Sequence, residues 1–189
     1  RTSFSLLPDN PVEQLFWGKV FIHKAMGWCF FVKGGVMQSL LHALKYKNRP
    51  QVGVVLGRQL ALENKEWFEG MDALIPIPLH AKRLRSRGYN QSACIAQGIS
   101  QVTGIPICEQ VLQRKVFTQT QTRKRVYQRW QNMERVFDVS HAHLLEGKHV
   151  LLIDDVITTG ATLASAALTL QENIPQITVS IATIAVASS

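Results

Sequence analysis

Apolar positions along the chain fall into short blocks that switch between strand-like runs and helical spacing, and the blocks alternate in a regular order. After Asn10-Pro11, the residues Val12, Leu15, Phe16 and Val20 sit near helical spacing and predict a short helix outside the main sheet. Trp28 to Val32 reads as a strand that Gly34-Gly35 stops, and Val36, Leu40, Leu41 and Leu44 then form a helical face that ends in Lys45-Tyr46-Lys47. Pro50 breaks the chain, and Val55, Gln59 and Leu62 mark a helix over Val52 to Glu63. Asp72 to Pro78 reads as a buried strand halted by its prolines, followed by a basic loop through Ser92. Asn90 caps a helix carrying Ala93, Ala96, Ile99 and Val102, and Ile105 to Val111 is a modest strand. Lys115 to Trp130 is polar and basic and predicts a mobile loop running into a helix. His149 to Ile153, Ala161 to Gln171 and Ile177 to Val186 then predict strand, helix and strand.

This alternation predicts an α/β fold with a parallel or mostly parallel sheet covered by helices on both faces. Residues 1–35 are expected to form a small accessory lobe, or hood, over the ligand edge, and residues 36–189 the main domain. There is no internal repeat and no long linker.

The densest chemistry lies in Val150 to Thr162, V-L-L-I-D-D-V-I-T-T-G-A-T. The apolar run reads as a buried parallel strand that delivers Asp154 and Asp155 to the carboxyl edge of the sheet, where open α/β sheets bind ligands. Carboxylates there accept hydrogen bonds from sugar hydroxyls and hold a hydrated Mg²⁺. Thr158-Thr159-Gly160-Ala161-Thr162 follows, small and hydroxylated, with a helix N-terminus close behind, so its amides can curl around an anion. Acids for a sugar beside amides for a phosphate describe a phosphoribosyl site.

Composition narrows the class. At 189 residues and 46% apolar the chain suits one well-filled domain. No apolar stretch approaches the ~20 residues needed to span a bilayer, and Arg1-Thr2-Ser3-Phe4 lacks the layout of a signal peptide, so a cytoplasmic protein is expected. The first residue is not Met, which reads as a chain trimmed from a longer product. Cys29, Cys94 and Cys108 are scattered and read as buried reduced thiols, with no zinc ligand set. His141 and His143 lack a third ligand and read as an exposed loop. A net charge of +8 and a pI near 9.7 point to an anionic partner, with bases gathered in Lys45 to Arg49, Lys82 to Arg87 and Arg114 to Arg135.

I-D-D-V-I-T-T-G-A-T resembles the motif of the type I phosphoribosyltransferases, which bind 5-phosphoribosyl-1-pyrophosphate (PRPP). By that resemblance Asp154 and Asp155 are the catalytic acids on the ribose diol. Val156 and Thr158, Thr159, Gly160, Ala161 and Thr162 complete the PRPP-binding segment around the 5′-phosphate. The run I-P-I-P-L-H-A-K-R-L-R-S-R-G-Y-N-Q-S is similar to a segment of the ComF family, matching at Arg87, Gly88, Tyr89, Asn90 and Gln91. The resemblance implies a pyrophosphate loop at Pro78, Leu79, Lys82, Arg83 and Arg87. It also implies a flexible closing loop marked by Thr118, Gln121, Arg129 and Asn132. Leu44-Lys45-Tyr46 resembles the family's L-K-Y segment, so Lys45 and Lys47 are within the phosphate-binding repertoire.

Membership implies Mg²⁺ with PRPP, glycosyl transfer, and a link to DNA uptake and natural competence. The alternative is a non-catalytic module of the same fold that binds single-stranded DNA or regulates competence or nucleotide metabolism, with Tyr127 and Trp130 as stacking surfaces. Family members commonly begin with a cysteine-rich zinc ribbon. Either that ribbon precedes Arg1 in a longer product or this member lacks it.

Overall fold

The four long apolar runs line up side by side in the computed structural model, which describes residues 1–115 and 136–187. β5 (His149–Ile157) and β6 (Thr178–Ala187) form the centre, with β1 (Ala25–Phe31) beside β6 and β2 (Ala73–Pro76) beside β5. All three pairings in this sheet are parallel. Central parallel strands lose both faces to neighbouring layers, which is why Val150 to Ile153 is an unbroken apolar run and is fully buried.

One face packs against α6 (Ala161–Asn173) and against Val12 and Phe16 from the N-terminal segment, around Val150, Leu152 and Leu170. The opposite face is covered by α2 (Val36–Tyr46), α3 (Pro50–Glu63) and α5 (Gln91–Thr103), around Leu151, Ile153, Leu60, Ile95 and Ile99. α3 and α5 meet at backbone distance. A Cβ on Gly57 would stand 2.0 Å from the Ile95 carbonyl oxygen, and one on Gly98 would stand 2.0 Å from that of Val54. Only glycine permits that approach.

Several expectations need correction. The N-terminal helix, α1 (Pro11–Gln14), is one turn long. Asn10 and Glu13 close it with a reciprocal capping box, and successive turns rather than helix follow through Lys19, including Gly18 at φ 71°. β1 starts at Ala25, ahead of Trp28, and is hydrogen-bonded along β6. The edge strand of the main sheet therefore comes from within residues 1–35, at Ala25–Phe31. Small Gly27 allows this, since a Cβ there would lie 2.1 Å from Val186 Cγ2.

In the stretch Ile105 to Val111 only Ile107 bridges to the sheet, at Leu74, because Pro106 has no N–H to donate. The chain then enters a separate antiparallel ribbon of β3 (Leu112–Arg114) and β4 (Phe137–Val139). The basic loop after Pro78 contains a helix, α4 (Ala81–Arg87), which His80 caps through its Nδ1 and Gly88 ends in the left-handed conformation at φ 80°. Among the described residues no helix is long and apolar enough to cross a membrane. The expected closing-loop residues Thr118, Gln121, Arg129 and Asn132, with Tyr127 and Trp130, lie outside the described residues.

Candidate functional site

Strand lengths open the site. β2 stops at Pro76, paired with Ile153, whereas β5 runs on to Ile157, so from Asp154 onward β5 has no β2 partner on that side. A cavity of about 610 Å³ fills the gap at the carboxyl edge, and Asp154, Asp155, Arg83, Arg87, Arg114 and Lys45 all contribute to its lining.

Asp154 Oδ1 accepts two hydrogen bonds, from the Asp155 backbone N–H at 2.9 Å and from the Ser92 hydroxyl at 3.0 Å. Burial of its carboxyl and the adjoining Asp155 charge push its pKa up to about 7, against the pull of those donors and of Lys45. Asp155 is compensated differently. Its Oδ2 is buried without a hydrogen bond, and Lys45 Nζ stands 2.8 Å away as its ion-pair partner.

The segment Thr158 to Thr162 adjoins this pair. Thr158 and Thr159 are exposed, and buried Gly160 turns the chain at φ 73°, its α-carbon pressed toward Phe16. The Ala161 N–H reaches Thr159 Oγ1 at 3.4 Å, and the N-cap of α6, Gly160, offers no side chain to the first-turn amides that follow. A concavity of about 50 Å³ is lined by Asp154, Val156 and the loop from Thr158 to Thr162. Asp154 and Thr162 line both hollows, which makes the acid pair and the loop one continuous surface.

Across the cavity stand the cations of the proposed pyrophosphate loop. Pro78, Leu79, Arg83 and Arg87 line it, whereas Lys82 is exposed and outside the lining. Arg87 donates to Gln91 Oε1 at 2.7 Å, and its guanidinium lies 5.4 Å from the centre of the Tyr46 ring. Arg114, on β3, is half-buried over Phe137. Burial and the nearby Arg83 charge lower its pKa, with Asp154 opposing them. Two crowded guanidiniums favour an anion between them.

The R-G-Y-N-Q motif turns out to be a brace. Gly88 ends α4, the Tyr89 hydroxyl donates to the Leu44 carbonyl at the end of α2, and Asn90 Oδ1 accepts from the Ser92 N–H while its Nδ2 donates to the Ile77 carbonyl. Four elements are thereby fixed around the cavity.

Sequence reasoning missed Ser92, Arg114, Tyr46 and the Lys45–Asp155 pair as site features. Arg114 carried a signal as the first base of a basic run, and Lys45 and Tyr46 as part of the L-K-Y segment. His141 and His143 place their rings 6.4 Å apart, and no metal-holding cluster of His, Cys, Asp or Glu occurs among the described residues.

A parallel sheet whose central strand ends in paired acids and a small-residue turn defines the type I phosphoribosyltransferase fold. Residues 91–189 match the family described as phosphoribosyl transferase domain. The chain is 30% identical over 142 residues to the DNA utilization protein YhgH of Salmonella typhimurium, covering 72% of this chain and 62% of that protein. It is 31% identical over 133 residues to Competence protein F of Haemophilus influenzae, covering 67% and 58%. Competence protein ComFC of Bacillus subtilis is 34% identical over 99 residues, covering 52% and 38%. The matches thus span about 62% or less of these relatives' own length.

Two solved structures share the fold. An allosteric regulatory enzyme of purine biosynthesis has a TM-score of 0.52 at 24% identity, covering 74% of this chain and 29% of that one. The glutamine PRPP amidotransferase from B. subtilis has a TM-score of 0.51 at 23% identity, covering 74% and 30%. The chain belongs to the phosphoribosyl transferase domain family, in its ComF branch.

Proposed function

We propose that this protein binds PRPP at the carboxyl edge of its sheet and transfers the phosphoribosyl group to a nitrogenous acceptor. The observation that carries the reading is the continuity of three surfaces: the Asp154–Asp155 pair, the Thr158 to Thr162 turn, and the guanidiniums of Arg83, Arg87 and Arg114. The acids accept from the ribose hydroxyls. The amides of the turn and of the first turn of α6 hold the 5′-phosphate, with the helix dipole in support. The arginines, with Lys82 at the outer edge, stabilise the pyrophosphate as the C1–O bond breaks and the acceptor nitrogen takes its place on C1.

Hard carboxylate oxygens suit Mg²⁺, so Asp154 and Asp155 are the residues to hold it, through water. When bound, Mg²⁺ neutralises charge on the leaving pyrophosphate. Dispersed free thiols accord with a reducing cytoplasm. The names of the relatives support service to DNA utilization and competence, and the net charge of +8 suits an anionic partner such as single-stranded DNA.

The test is PRPP-dependent pyrophosphate release across a panel of nucleobases and amines. Release with at least one acceptor, lost in an Asp154→Asn, Asp155→Asn double variant, is the expected result. Release with none refutes catalysis. Single-strand affinity measured against salt tests the DNA partner, and a flat or absent response removes it.

A further inference from the structure

We infer that Lys45 is the resident counter-cation of the acid pair, a positioning residue that lets the pentose phosphate bind without a divalent ion and leaves the need for Mg²⁺ to the pyrophosphate. This rests on the site reading above.

The ion pair is well sheltered: the Asp155 side chain is 10% exposed and that of Lys45 26%, with Nζ and Oδ2 2.8 Å apart. Oδ2 has no hydrogen bond, so without the ammonium a buried carboxylate oxygen would be left uncompensated, a costly state. Asp154 is supported by neutral donors, Ser92 and a backbone amide, and its neighbour needs the charge. Among the described residues Lys45 is the one cation in ion-pair contact with either acid. Arg83, Arg87 and Arg114 line the same cavity without pairing to them and stay available to an anion.

Lys45 is also held in place. It occupies the last turn of α2, where Leu41 and Leu44 are buried in the core and the Leu44 carbonyl accepts from Tyr89. A base fixed this way sets a positive charge against the buried Oδ2 of Asp155, while the Ser92 and backbone donors to Asp154 both fall on its Oδ1. With no such base, the buried Oδ2 would need an external cation beside it.

Ribose 5-phosphate separates the two needs, because it carries the pentose and its phosphate but no pyrophosphate. Its affinity is measured by calorimetry in EDTA and in Mg²⁺ for the wild type, Lys45→Met and Lys45→Arg, with circular dichroism to confirm folding. The wild type is expected to bind equally in both buffers. Lys45→Met is expected to bind roughly 10-fold or more weakly in EDTA, the scale of one charged contact, with recovery in Mg²⁺, and Lys45→Arg to bind nearly as the wild type does.

A wild type that requires Mg²⁺ for ribose 5-phosphate overturns the inference, and this arm stands even if Lys45→Met does not fold. So does Lys45→Met binding as the wild type does in EDTA. A wild type that binds neither ribose 5-phosphate nor Mg-PRPP removes the site reading itself, and the role of Lys45 with it.

Discussion

Replacing Gly57 by alanine tests whether the α3–α5 contact positions the site. The added Cβ would meet the Ile95 carbonyl oxygen at 2.0 Å, its carbon at 2.9 Å and its Cα at 3.1 Å. All three are backbone atoms, so no rotamer change relieves the clash and the helices must move apart by about 1 Å, given C···O contacts of ~3.3 Å or more. Overpacking of a filled interface costs ~1–3 kcal/mol. Alanine returns up to ~1 kcal/mol as the better helix former. Loss of packing around Leu60, Ile95 and Ile99 puts the clash at the upper end, for a net cost of ~2 kcal/mol. For a chain of this size that corresponds to a fall in Tm of ~4–8 °C. Because Ser92 opens α5 and donates to Asp154, ribose 5-phosphate affinity should fall with it. Thermal unfolding followed by circular dichroism, with calorimetry on the same sample, is the assay. A Tm that is unchanged or raised, with unaltered affinity, would refute the reasoning.

At the opposite edge of the sheet, burial together with His23 and Lys24 lowers the pKa of His149, whose Nε2 lies 2.8 Å from Ser180 Oγ. The unfolded chain therefore binds a proton more readily, and this contribution to stability is full above ~6.5 and lost as pH falls through the lower folded value. Tm measured from pH 7.5 down to 5 should drop more steeply for the wild type than for His149→Asn, and equal slopes would contradict the assignment. Tyr89→Phe removes the hydroxyl that ties α4 and α5 to the end of α2. A cost of ~1 kcal/mol in stability is expected, with a several-fold loss of ribose 5-phosphate affinity as Lys45 loosens. Unchanged values for both would mean that the tie does not position the site.

Much of the site was legible because it is local. The strand from Val150 to Ile153, its acids and the turn after them are contiguous, and an apolar run ending in polar residues has few other readings in a parallel sheet. What escaped was non-local or masked by composition. Lys45 and Asp155 are far apart in sequence, and only the packing of α2 brings them together. α4 was hidden because A-K-R-L-R-S-R offers only two apolar residues, Ala81 and Leu84, too few to establish a period. The start of β1 was missed because Ala25 and Gly27 are small, and their value lies in close contact with β6 rather than in strand propensity. Gly53, Gly57 and Gly98 are poor helix formers by propensity, and only the contact between the two helices shows why they stand there.

The central claim is that the turn after the paired acids grips a phosphorylated pentose bearing pyrophosphate. Its most direct test is calorimetric titration of Mg-PRPP into the wild type and into the Asp154→Asn, Asp155→Asn double variant. Saturable binding to the wild type at one site, weakened at least ~10-fold in the double variant, is the predicted result. Equal affinities for the two proteins, or no binding to either, would contradict it.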